Sequence, residues 1–242
     1  GIEGIDVTAR WPSLEEAITI DGRLTWNREE IEVQAEIGDP RALSSGGNSK
    51  VKLEVAGEVM DASFDGALDA ATNVAAGTAD FSTASVTRLA AWVGAAAPDG
   101  DRLGAVKVSG AVTIRPDVIA LEDAKFSIAD GALLATFTGT LDTQQSKIAG
   151  LVDARADSAR DLAKRAGFAL PGTKGFAAAS LTGALSVTPG RIAFDDVKLS
   201  VDGDLLRAGF TGGLETATGQ VAGLLDIRSN SAERLASQVC TA

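Results

Sequence analysis

The sequence predicts a mostly β protein. We expect an elongated, strongly curved antiparallel sheet built from repeats of about 73 residues, each with about five strands and a short helix. Apolar and polar residues alternate with a period of two along most of the chain, as in half-buried strands. Turn sequences such as Arg115-Pro116-Asp117 separate the alternating runs. The chain also repeats itself, which is typical of a stacked array of similar units.

The repeat is visible as residues of one type spaced by 73 positions. Three such sets are Phe64, Phe137 and Phe210; Gly66, Gly139 and Gly212; and Gly77, Gly150 and Gly223. The predicted organisation is the end of a preceding unit at 1–17, a first unit at 18–97 with an insert loop at about 38–50, a second unit at 98–170 and a third at 171–242. The chain is therefore expected to be a piece of a longer array.

The second copy shows the elements of a unit in order. Alternation in Val106–Ile114 predicts the first strand, and four more strands are predicted at 118–122, 124–128, 132–141 and 148–154. A helix should follow, because in the first copy Val86, Leu89, Ala90 and Val93 have helical spacing. Ser85 is its predicted N-cap and Gly94 its stop. The equivalent helices are predicted after Ser158 and Ser231.

Glycines at apolar positions of the strands predict sharp bending. Gly110, Gly139 and Gly150 remove side chains in mid-strand, which allows two backbones to approach closely. The sheet should then curl around its own apolar face. A closed face would be an ordinary core, whereas an open face would be a trough suited to acyl chains. The sequence leaves both alternatives open.

The composition excludes several classes of function. The 242 residues include no His, no Tyr and one Cys, Cys240, so His-based triads, His or multi-Cys metal sites and disulfide frameworks are excluded. The net charge of −11 disfavours nucleic acid as a partner. No apolar run is long enough to span a bilayer. We expect no cofactor, no metal and no enzymatic activity.

Adjacent acids and recurring serines have simpler explanations than catalysis. Glu15-Glu16, Glu29-Glu30 and Asp195-Asp196 cannot face one cleft unaided, because consecutive strand residues point to opposite faces, and solvated turns are predicted there. Asp99-Gly100-Asp101 and Asp202-Gly203-Asp204 are predicted hairpin turns, since they lack the spaced ligands of a calcium loop. The serines before the predicted helices have no His to activate them and are assigned to capping.

The order of several short phrases resembles the AsmA family of bacterial envelope proteins. The phrases are Asp80-Phe81-Ser82, Leu89-Ala90-Ala91-Trp92-Val93-Gly94, Val108-Ser109-Gly110-Ala111-Val112, Leu181-Thr182-Gly183-Ala184-Leu185 and Gly190-Arg191-Ile192-Ala193-Phe194. The resemblance implies a periplasmic body, tethered to the inner membrane by a segment absent from this chain. It also implies a repeating β-groove that binds or conducts phospholipid between the inner and outer membranes and supports outer-membrane assembly.

The predicted function is thus a groove for phospholipid or other acyl-chain lipids, with envelope proteins as further candidate partners. The residues expected to line the groove, which could equally form an ordinary core, are Trp26, Phe64, Val108, Val112, Phe126, Phe137, Leu181, Phe194, Leu199 and Phe210. The alternative is a non-enzymatic scaffold of the envelope with a closed core, which would interact through sheet edges or its acidic outer face. An acidic carbohydrate-active enzyme is a third alternative, requiring two carboxylates in one cleft.

Overall fold

A computed structural model describes residues 2–13, 15–94, 104–129, 131–158, 160, 178–201, 206–215, 218–229 and 231. It contains a sheet of 14 strands in which every strand pairs with its neighbours in chain order. The strands are β1 (Ile2–Arg10), β2 (Ile18–Trp26), β3 (Glu29–Ile37), β4 (Asn48–Gly57), β5 (Asp61–Asp69), β6 (Val74–Thr83), β7 (Val106–Ile114), β8 (Val118–Ile128), β9 (Leu133–Asp142), β10 (Lys147–Ala156), β11 (Ala179–Thr188), β12 (Arg191–Val201), β13 (Leu206–Glu215) and β14 (Gln220–Ser229). The predicted antiparallel, mostly β fold is confirmed.

The chain divides into two compact units, Gly1–Ala124 (unit 1) and Lys125–Ala242 (unit 2). The boundary lies within β8. The helices of the described residues, α1 (Pro40–Ser44) and α2 (Val86–Val93), both belong to unit 1. The predicted repeat boundaries remain a prediction.

Among the described residues, the first predicted copy contains five strands, β2 to β6, between residues 18 and 97, and the second and third copies contain four each. In the second copy, residues 118–122 and 124–128 were predicted as two strands but form one, β8. Asp123 in mid-strand has a φ of 47°, so a local irregularity occurs at the boundary between the two predicted strands. The predicted insert loop at about 38–50 contains α1 and the start of β4, because Asp39 caps a short helix that begins at Pro40.

Helix α2 begins and ends where the sequence predicts. The Ser85 side chain accepts a hydrogen bond from the backbone N–H of Arg88, and Gly94 ends the helix in the left-handed conformation, with a φ of 77°. The helices predicted after Ser158 and Ser231 lie almost wholly outside the described residues. Cys240 and both predicted Asp-Gly-Asp turns also lie outside the described residues.

A buried hydroxyl joins the end of β6 to the β4–β5 loop. Thr83 is 5% exposed, and its Oγ1 donates to the carbonyl oxygen of Val59 at 2.7 Å. We expect Thr83→Val to lower the free energy of unfolding by about 1–2 kcal/mol, because the replacement has a similar shape but leaves a buried acceptor unpaired. Urea denaturation followed by tryptophan fluorescence measures the change. Thr78→Val, on an exposed position of the same strand, is the control; an equal loss in both variants would contradict the role of the hydrogen bond.

Candidate functional site: the apolar face of each unit

In unit 1, register and alternation place the large apolar side chains of β2 to β7, except that of Val74, on one face of the sheet. Residues directly opposite one another form three rows across these strands. The upper row is Gly22, Val33, Val55, Ala62, Phe81 and Val108; the middle row is Ile20, Ala35, Leu53, Phe64, Ala79 and Gly110; the lower row is Ile18, Ile37, Val51, Gly66, Gly77 and Val112. No charged side chain interrupts any of the three.

The opposite face of unit 1 is polar and charged. Arg23 donates to Glu32 at 2.6 Å and pairs with Glu30 at 2.9 Å on this face. The hydrogen bond to Glu32, together with the charges of Glu32 and Glu30, raises the pKa of the Arg23 guanidinium above its ordinary value. Lys52 and Asp65 form a further pair between β4 and β5. One face is therefore suited to water and the other is not.

The apolar face of unit 1 is only partly covered. The side chains of Trp92 and Leu89 in α2 pack in one cluster with Ile31, Val59 and residues near the β2–β3 turn. The middle row lies outside this cluster, and Leu53 in that row is 38% exposed. Among the residues that the structure describes, no large side chain is fully buried. A closed sandwich core would bury many such side chains.

Polar contacts hold α2 at this end of the sheet. Arg88 donates from Nη2 to Glu29 at 2.9 Å and to Glu58 at 3.0 Å. The Trp92 Nε1–H donates to the carbonyl oxygen of Trp26 at 2.8 Å, and Asn27 Nδ2 donates to the carbonyl oxygen of Trp92 at 2.6 Å. The hydrogen bonds to the two glutamates raise the pKa of Arg88, which stays charged. Glu29, one of the adjacent acids Glu29-Glu30, therefore forms an ion pair with Arg88.

The four predicted groove residues of unit 1 all lie on the apolar face, in different surroundings. Trp26 is covered, because its ring packs against Trp92 with centroids 4.4 Å apart and an interplanar angle of 59°. Val112 in the lower row is 6% exposed. Phe64 and Val108 are half-buried, in the middle and upper rows. Phe64 is the predicted residue nearest to the exposed Leu53, which lies directly opposite it on β4.

Unit 2 has an apolar face of its own, formed by β9 to β14. Leu181 lies directly opposite Leu199, and Phe210 lies opposite Val197. The rings of Phe194 and Phe210 meet edge to face with centroids 5.9 Å apart. Phe137 is 9% exposed, and Phe126 is half-buried near the end of β8. The structure thus brings Leu181 together with Leu199, and Phe194 with Phe210.

The predicted turn at Asp195-Asp196 is wrong. These residues lie within β12, where the register shifts against both neighbouring strands and Asp196 has a φ of 46°. Both aspartates are exposed, whereas Phe194 and Val197 on either side of them lie opposite Gly212 and Phe210 of β13. Gly183 lies opposite, and a β-carbon added there would lie 2.7 Å from the Cα of Val197.

Sequence reasoning did not place three important residues of unit 1. Leu53 and Ile20 have the same alternation as the predicted residues and could have been found from it. Trp92 was assigned to an amphipathic helix, but nothing in that pattern indicates which part of the sheet the helix covers. A depression next to Trp92 has a cavity volume of only about 10 Å³, roughly the space of one water molecule, so it is too small to hold a ligand, and three glutamates contribute to its lining.

The fold and the site define a class: an antiparallel β sheet that presents a partly uncovered apolar face. No family model matches the chain, and neither the curated proteins nor the solved structures include a match. Among the described residues, no cluster of three or more His, Cys, Asp or Glu side chains could hold a metal ion. Within the same residues, no helix is long and apolar enough to cross a membrane.

Proposed function

We propose that the apolar face of unit 1 binds the acyl chains of phospholipids or similar lipids. The observation that carries this proposal is the middle row, which is apolar from Ile20 to Gly110 and leaves Leu53 38% exposed. Water in contact with such a surface is displaced favourably by hydrocarbon. Because the opposite face is charged, a polar partner is expected to bind that face and not the apolar one.

Binding of this kind is a partition equilibrium without a covalent step. Each methylene transferred from water to an apolar surface contributes about 0.8 kcal/mol, so even part of an acyl chain gives useful affinity. The described residues of the three rows provide no catalytic acid, base or nucleophile next to the chain. The resemblance to the AsmA family supports a periplasmic setting, attachment to the inner membrane and transfer of lipid toward the outer membrane, and we propose these together with the lipid site.

Lipid uptake by charge-substituted variants tests the proposal. We expect Leu53→Glu to lower uptake of a fluorescent phospholipid by tenfold or more, because a carboxylate in the middle row would lose its hydration beneath an acyl chain. Ala67→Glu adds the same charge to an exposed position on the polar face of β5 and should leave uptake unchanged. Uptake that is absent in the unaltered protein, or equal in the two variants, would overturn the proposal.

A scaffold role is the second candidate, and β14, the last strand in the sheet order of the described residues, favours it. All described residues of β14 are exposed, and Leu224 and Leu225 are 80% and 63% exposed on opposite faces of the strand. An apolar edge strand without Lys or Pro readily pairs with another strand. Purified protein that repeatedly contains no phospholipid by mass spectrometry and takes up none would favour this role over lipid binding.

A further inference from the structure

We propose that the outer edge of β14, the edge that faces away from β13, binds an extended segment of a partner protein as an additional antiparallel strand. No strand of the described residues pairs with this edge. The segment has two apolar residues separated by three positions with a glycine at the centre, as Val108 and Val112 flank Gly110 in β7. This inference does not depend on the lipid site, and it gives the scaffold candidate a partner of defined chemistry.

β6, β10 and β14 are strands of one kind. Each follows a strand with the sequence Phe-x-Gly, and each has a glycine directly opposite the glycine of that sequence. The opposed pairs are Gly66 and Gly77, Gly139 and Gly150, and Gly212 and Gly223. Equivalent residues of successive strands are 73 positions apart. The edge of β14 that pairs with β13 is thus arranged as in β6 and β10.

The other edge of β6 and β10 indicates which kind of strand fits β14. β6 pairs there with β7, and β10 pairs there with β11, both antiparallel. Each partner places a glycine between two apolar residues on the face that carries the paired glycines. The cross-strand pairs are Val108 with Phe81, Gly110 with Ala79, Val112 with Gly77, Leu181 with Ala154, Gly183 with Val152 and Leu185 with Gly150. On β14 the equivalent positions are Ile227, Leu225 and Gly223.

These positions of β14 are more exposed than their counterparts in a strand with both edges paired. Leu225 and Ile227 are 63% and 57% exposed. Val152 and Ala154, the equivalent residues of β10, are half-buried. A strand added to β14 would cover these side chains and would also pair the main-chain N–H and C=O groups of the outer edge. The main-chain pairing provides affinity, and the alternating side chains provide selectivity.

The charges of β14 do not oppose a further strand. Asp226 and Arg228 point to the opposite face from Leu225 and form an ion pair with each other at 2.8 Å. Asp153, the equivalent of Asp226 in β10, lies directly opposite Thr182 of β11. A partner segment with a hydroxyl side chain at this position therefore brings no like charge next to Asp226.

A synthetic peptide tests the proposal. A fluorescently labelled peptide with the sequence of β7, Val106–Ile114, is titrated with the full chain, and its anisotropy is measured. We expect saturable binding. The same peptide with Val108→Asp and Val112→Asp should bind at least tenfold more weakly, because carboxylates would replace the apolar side chains opposite Ile227 and Gly223.

Two leucines of equal exposure provide matched variants of the protein. Leu225→Lys places a charge on the apolar face of β14, and we expect it to weaken peptide binding tenfold or more. Leu151 is also 63% exposed but lies in β10, whose two edges are both paired, so Leu151→Lys should leave binding unchanged. Circular dichroism verifies that both variants fold, and Leu225→Gln replaces Leu225→Lys if the latter does not.

Hydrogen exchange locates the bound peptide. The amides of β14 should gain protection, and those of β1, the other terminal strand of the described sheet, should not. Absence of saturable binding, equal binding by the two variants or protection gained outside β14 would overturn the inference. A dimer of the full chain that Leu225→Lys dissociates would also overturn it, because a second copy would then occupy the edge. These outcomes leave the proposed lipid site of unit 1 intact.

Discussion

Gly212→Ala is expected to destabilise β13 and β14 by about 3 kcal/mol or more, because no β-carbon fits at this position. Gly212 lies directly opposite Gly223. An added β-carbon would lie 2.7 Å from the Cα of Gly223 and 2.6 Å from Cζ of Phe210, and it would collide with the carbonyl oxygen of Ala222. Backbone atoms of the neighbouring strand cannot move aside as a flexible side chain can. Amide hydrogen exchange of β13 and β14 measures the local loss, with circular dichroism as a global check.

Gly209→Ala is the matched control in the same strand. A β-carbon at Gly209 would meet no atom within 4 Å, so we expect stability to be unchanged or slightly raised by the stiffer unfolded chain. Equal losses in the two variants would contradict the close approach of the strands at Gly212 and Gly223. The same arrangement of a Phe ring over a paired glycine occurs at Phe64 and at Phe137, so Gly66→Ala and Gly139→Ala should behave like Gly212→Ala.

Trp92→Ala is expected to lower the free energy of unfolding of unit 1 by about 3–5 kcal/mol. The substitution removes a nearly buried indole from the cluster with Ile31 and Val59, and it leaves the carbonyl group of Trp26 without its donor. Guanidinium denaturation can be followed through the remaining tryptophans, one of which, Trp26, is in contact with Trp92.

Val93→Ala tests whether this effect belongs to burial or to helix propensity. Val93 is adjacent to Trp92 in α2 but 50% exposed, so its replacement should change stability by less than about 0.5 kcal/mol. A large loss in both variants would indicate that α2 is stabilised by its own residues and not by its contact with the sheet. A small loss in both would contradict the packing of Trp92 on the apolar face.

Much of the fold could be predicted from local patterns. The alternation in Val106–Ile114 and the cap and stop at Ser85 and Gly94 are short-range signals, and the structure has the strand and the helix at those positions. The prediction from local patterns was wrong where a strand contains an irregularity. Residues 118–122 and 124–128 were predicted as two strands with Asp123 between them, whereas Asp123 is a backbone irregularity within one strand.

The candidate site could be predicted in part. Phe64, Val108 and Val112 were placed on one face because period-two alternation fixes the side of the sheet on which a residue lies. The covering of Trp26 could not be predicted, since its contact with Trp92 joins residues 66 positions apart in the sequence. No local pattern specifies which strands a helix will reach after its connection to β6.

By itself, the sequence determined that this protein is an antiparallel β sheet with one apolar and one polar face, because side-chain direction in a strand depends only on local alternation. The tertiary structure alone decided how much of the apolar face remains accessible. That property depends on where α2 packs and on how closely the paired glycines let strands approach. Both are contacts between distant segments, whose energies no single segment contains.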